Sequence, residues 1–69
     1  MRYSIFGHSP LTLSDDYFIA PSADLIGDVT LGDQVSIWFN VVIRADMDRV
    51  IIGDRSNIQD SSVIHVDKG

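Results

Sequence analysis

The sequence predicts an all-β solenoid, a backbone wound into a three-sided prism, and three observations carry that prediction. Aliphatic residues recur at every sixth position through Ile19, Leu25, Leu31, Ile37 and Ile43, and again through Ile52, Ile58 and Ile64. Neither a helix nor a flat strand gives that spacing, which arises when the chain turns a corner after each short strand. A second set, Ala23, Val29, Val35 and Val41, continued by Ser56 and Ser62, precedes the aliphatic set by two positions. Residues two apart on a strand share a face, so each short strand sends a pair of side chains inward. Finally, a Gly-Asp pair recurs in Ile26-Gly27-Asp28, Leu31-Gly32-Asp33 and Ile52-Gly53-Asp54. Glycine tolerates positive φ and aspartate bonds nearby backbone, so these pairs mark turns.

The elements follow in chain order. Residues 1–18 depart from the six-residue rule and contain Gly7, Pro10 and Asp15-Asp16, so they read as an N-terminal capping segment over the first coil. The alternation of Tyr3, Ile5, Leu11 and Leu13 suits short strands within it. Residues 19–69 read as the coils, unbroken from 19 to 43. From Ile43 to Ile52 the spacing is nine, so three residues have been added to one repeat. The addition predicts a corner loop near residues 45–50, around Ala45-Asp46-Met47-Asp48-Arg49. Such loops project from the prism and collect binding residues. The pattern is still running at Ile64-His65-Val66, which leads us to expect a truncated solenoid, a fragment of a longer protein or a chain stabilised by oligomerisation. Each buried aliphatic residue contributes roughly 1.5–3 kcal/mol, and solenoids need about three stacked repeats with capped ends.

Composition narrows the function classes. All ten acidic residues are aspartate, which removes a helix former and leaves a turn former. A net charge of −5 and a pI near 4.4 argue against nucleic acid or an anionic membrane surface as partner. With no cysteine there is no disulfide framework or thiolate chemistry. No stretch reads as a signal peptide or membrane span, and a cytoplasmic location is expected.

The residues able to carry chemistry gather late in the chain: Arg44 and Asp46 beside the insertion, then Asn57, Gln59 and Asp60, then His65. Most neighbour an inward aliphatic position, so their side chains should face outward, on a surface where partner subunits of solenoids pack. Taken alone, His65 reads equally as a partly exposed strand histidine, and the charged residues as solvated pairs worth about 0–1 kcal/mol. Asp46-Met47-Asp48 reads as a polar corner before a metal-binding pair. Trp38-Phe39 reads as packing at a coil corner or against a neighbouring subunit. His8, in the Gly7-His8-Ser9-Pro10 turn, is remote in the repeat frame and reads as a turn residue without chemistry.

The combination of Ile37-Trp38, Arg44-Ala45-Asp46, Asn57-Ile58-Gln59-Asp60 and Val63-Ile64-His65-Val66 resembles the γ-class carbonic anhydrases, a family of hexapeptide-repeat proteins. The resemblance implies a left-handed parallel β-helix, a homotrimer, and zinc, or iron or cobalt, held between subunits by three histidines, of which His65 matches the first. It also implies that Arg44 and Asp46, with Asp60 beside them, form the charged network joining subunits, and that Gln59 and Asn57 are polar active-site residues. The implied reaction is reversible hydration of carbon dioxide to bicarbonate, for which a divalent ion acidifies a water molecule toward neutral pH. The other two histidines of that family pattern would fall beyond Gly69, and Met47 stands where some members carry an acidic proton shuttle. The 69-residue chain taken alone is therefore expected to be catalytically silent. A hexapeptide-repeat acyltransferase and a non-catalytic trimeric scaffold are the alternative functions.

Overall fold

The computed structural model describes residues 1–65. Val66 and the remainder of the expected 19–69 coil region lie outside the described residues. Eight strands follow one another: β1 (Arg2–Tyr3), β2 (Leu11–Thr12), β3 (Tyr17–Ile19), β4 (Asp24–Leu31), β5 (Val35–Ile37), β6 (Val42–Ile52), β7 (Asn57–Ile58) and β8 (Val63–His65). No helix occurs among the described residues, and none is long and apolar enough to cross a membrane.

Every ladder between these strands is parallel, pairing each strand with one a full turn away along the chain. Leu25 lies opposite Ile43 and Ile43 opposite Ile64. One side of the prism is the sheet β3-β5-β7, and the others belong to the sheet β1-β4-β6-β8, with β2 also on β4. β4 serves two sides because it bends midway, where the register against β6 shifts between Gly27 and Val29. The inserted residues of β6 sit opposite that bend. This is the parallel β-solenoid of about three turns that the six-residue spacing predicts, with the architecture of a left-handed β-helix.

The inward columns are those marked in the sequence. Leu25, Leu31, Ile37 and Ile43 have no exposed surface, nor do Ala23, Val29, Val35 and Val41. Ile19, Ile58 and Ile64 pack against this cluster but are only partly buried, because each belongs to an outermost rung of the described stack. The N-terminal segment is itself stranded: β1 and β2 add to β4, and β3 adds to β5. The boundary read at residue 18 thus falls inside β3, where the first full side of the prism begins.

Corner chemistry explains the Gly-Asp repeats. The Asp54 carboxylate accepts a hydrogen bond from the backbone N–H of Asp33 one turn above (2.8 Å), and a Cβ on Gly32 would collide with that carboxylate. Gln34 (φ 57°) and Arg55 (φ 59°) take the left-handed conformation at corresponding corners, as do Asn40 (φ 58°) and Ser61 (φ 61°). The corners stack as the strands do. Gly27 (φ 84°) is the tightest point: an added Cβ would lie 2.5 Å from the Ala45 carbonyl oxygen and 2.9 Å from the Ile5 side chain.

Two substitutions test this packing by chemical denaturation. Ile43→Ala, in the middle of the column, should cost about 2–5 kcal/mol, whereas Ile64→Ala on the outer rung should cost distinctly less. Gly27→Ala should destabilise by about 1–3 kcal/mol through backbone strain.

Candidate functional site

The outward face of the β6 and β8 limbs is built by register. With Ile43 and Ile64 pointing inward, their neighbours Arg44 and His65 must point outward, and the ladder sets them opposite each other. Ala45 is the next inward residue, 3% exposed, and Asp46 follows at the start of the insertion. Three of the sequence-predicted residues therefore meet. Arg44 Nε lies 3.4 Å from Asp46 Oδ2, Arg44 Nη2 lies 2.9 Å from His65 Nε2, and His65 Nε2 lies 3.5 Å from Asp46 Oδ1.

The contact between Arg44 and His65 depends on where the ring proton sits. A guanidinium only donates, so its contact with His65 is a hydrogen bond when Nε2 carries the lone pair and the ring proton sits on Nδ1. Asp46 Oδ1 is buried and has no hydrogen-bond partner among the described residues, while Oδ2 faces the guanidinium. The carboxylate thus holds the cation, and the cation holds the imidazole.

The remaining expected residues stand apart from this cluster. Asn57 is on β7, on a different side of the prism, and its carboxamide oxygen accepts a hydrogen bond from the Trp38 indole N–H. Gln59 and Asp60 lie at the exposed corner between β7 and β8. Asp60 forms no ion pair with Arg44 among the described residues. Trp38, read as a corner packing residue, makes tilted contacts with Phe18 (5.0 Å between ring centroids) and Phe39 (6.3 Å).

His8 sits in a turn, as the sequence reading has it, and the fold gives that turn neighbours that the repeat frame does not define. Its imidazole lies 3.8 Å from Asp28, whose carboxylate is 3.9 Å from Arg49. Together with Asp46 and Asp48 these residues line a cavity of about 250 Å³ beside the inserted residues, which are not the corner loop expected near 45–50 but a bulge-like irregularity within the continuous strand β6. Counting repeats fails for residues 1–18, because a bridge between Ile5 and His8 folds that segment back over the bend at Gly27. Only the pairing of β1 with β4 reveals this placement.

A zinc centre needs about four ligands of nitrogen, sulfur or oxygen type. Among the described residues no three histidine, cysteine, aspartate or glutamate side chains are grouped to hold an ion. The His65 Nε2 lone pair is moreover directed at Arg44. The described residues of one copy do not fit a metal centre by themselves.

Three known proteins place this geometry in context. The chain is 53% identical over 57 residues to the "Probable carbonic anhydrase" of Methanocaldococcus jannaschii, which covers 83% of the chain and 36% of that protein. It is 45% identical over 65 residues to the mitochondrial "Gamma carbonic anhydrase 2" of Arabidopsis thaliana, covering 94% of the chain and 23% of that protein. It is also 48% identical over 65 residues to the "Uncharacterized transferase YtoA" of Bacillus subtilis, covering 94% of the chain and 37% of that protein. The chain thus spans between 23% and 37% of the length of these relatives. No protein-family model matches it, and no solved structure does.

Replacing Arg44 separates local ordering from stability. Arg44→Gln should change the unfolding free energy by no more than about 1 kcal/mol, because the pair is half-exposed. The same change should move the His65 Nε2 resonance in a long-range nitrogen-proton correlation spectrum, since that nitrogen loses its donor.

Proposed function

We propose that this chain, which belongs to the γ-class carbonic anhydrase-like family of hexapeptide-repeat proteins, supplies part of a subunit-bridging site for the reversible hydration of carbon dioxide to bicarbonate. The observation that carries this reading is the meeting of Arg44, Asp46 and His65 on one outward side of the solenoid. In it, Asp46 pairs with Arg44, and Arg44 Nη2 lies against His65 Nε2. A neutral imidazole can ligate an ion through whichever ring nitrogen carries a free lone pair, so Nε2 would have to exchange Arg44 for the ion. His65 would be one of the histidines by which the whole protein holds zinc, iron or cobalt, the others coming from outside this chain. Gln59 and Asn57 would face the substrate, with Asp60 in the charged network at the seam.

The placement of these groups supports a homotrimer. His65 and Asn57 lie on different sides of the prism, whose outward directions diverge. They come to one place only if one side of a copy packs against a different side of the next. Such a heterologous contact closes into a ring when its rotation permits. One relative carries the name of an uncharacterized transferase, and a transferase, for which the six-residue repeat suggests an acyl group as cargo, is the second reading. Saturable binding of coenzyme A would support that alternative.

A carbon dioxide hydration assay tests the proposal on two polypeptides. The 69-residue chain with added zinc or iron should give no metal-dependent turnover, and a longer natural polypeptide containing this stretch should give it and lose it in His65→Ala. Turnover by the short chain alone, or an active long chain indifferent to His65→Ala, would contradict the reading.

A further inference from the structure

We infer that Trp38 is a positioning residue for Asn57, fixing its carboxamide so that only hydrogen-bond donors are offered outward. The inference deepens the proposed reading, in which Asn57 faces substrate, and rests on it for its functional meaning. The geometry comes from adjacent strands: Ser36 of β5 pairs with Asn57 of β7, and the backbone N–H of Trp38 donates to the Ile58 carbonyl at 3.0 Å. This anchoring brings the indole Nε1 against the Asn57 carboxamide.

An asparagine amide has two ends that differ in chemistry but hardly in shape, and an exposed one turns over freely. Here the neighbour removes that freedom. An indole nitrogen can only donate, so the oxygen of Asn57 must face Trp38 and the NH₂ group must face away. The indole also makes tilted ring contacts with Phe18 and Phe39, which anchor it through groups other than Asn57. Asn57 is exposed, and its NH₂ group has no hydrogen-bond partner among the described residues. An amide fixed in this sense suits an acceptor oxygen, such as that of a bicarbonate or carboxylate anion, and disfavours a hydroxyl that must donate.

Nuclear magnetic resonance of the full chain tests this without an activity assay. The Trp38 indole N–H should be shifted downfield and slow to exchange. Asn57→Leu should return it to the values of a solvated indole, while Asn57→Asp, which keeps an acceptor, should restore the shift. Trp38→Phe retains an aromatic ring beside Phe18 and Phe39, and there the two Asn57 NH₂ protons should lose their fixed pattern of proximities although the thermal transition remains. An indole N–H that exchanges rapidly in the unaltered chain, or whose shift ignores Asn57→Leu, would overturn the inference. Titration with bicarbonate is the separate arm: perturbation of the Asn57 NH₂ signals, weakened several-fold in Trp38→Phe, supports the substrate-facing role. A fixed amide with no response to bicarbonate leaves the positioning intact and counts against the proposed site.

Discussion

The whole structure depends on one constraint, that inward side chains of successive turns must stack in register. Six of the eight strands among the described residues are only two or three residues long, and none of these six has an apolar face large enough to fold alone. Leu25 over Ile43 over Ile64, and Ile19 over Ile37 over Ile58, share their buried surface between turns. Parallel pairing follows, because a chain that winds in one sense presents every strand of a side in the same direction. The outward residues are then fixed without further choice, since alternation along the strand leaves them no other direction.

The site inherits its geometry from that stacking. Arg44 and His65 oppose each other only because Ile43 and Ile64 do, and the insertion between the two limbs of β6 lets Asp46 turn toward them. The three inserted residues lengthen one turn without disturbing the register on either side: Leu25 still meets Ile43 before the insertion, and Leu31 still meets Ile52 after it. The insertion is taken up as an irregularity in the β4–β6 ladder between Gly27 and Val29, and Arg44 and Asp46 stand beside it. Gly27 makes this possible from the turn above, its missing Cβ giving room to the Ala45 carbonyl.

Much of this was legible in the sequence, for a physical reason. Periodicity marks the inward residues directly, so Leu25, Leu31, Ile37 and Ile43 could be assigned to the core and Arg44 and His65 to the surface before any coordinates. Contacts that depend on the partner strand were less accessible. The contact of Arg44 with His65 needed the register of β6 against β8, and the hydrogen bond between Trp38 and Asn57 needed the pairing of β5 with β7. The neighbours of His8 were not legible because its segment carries no repeat signal, and only the fold of residues 1–18 back over Gly27 brings it beside Asp28.

The most direct test of the central claim is a set of methyl nuclear Overhauser contacts in the chain, with Leu25, Ile43 and Ile64 labelled. Stacking predicts cross-peaks from Leu25 to Ile43 and from Ile43 to Ile64, residues one turn apart at about the 4.8 Å separation of neighbouring strands, and only weaker contact between Leu25 and Ile64. Absence of the Leu25–Ile43 and Ile43–Ile64 cross-peaks, or a Leu25–Ile64 contact stronger than both, would contradict a solenoid and remove the basis for the site described on its surface.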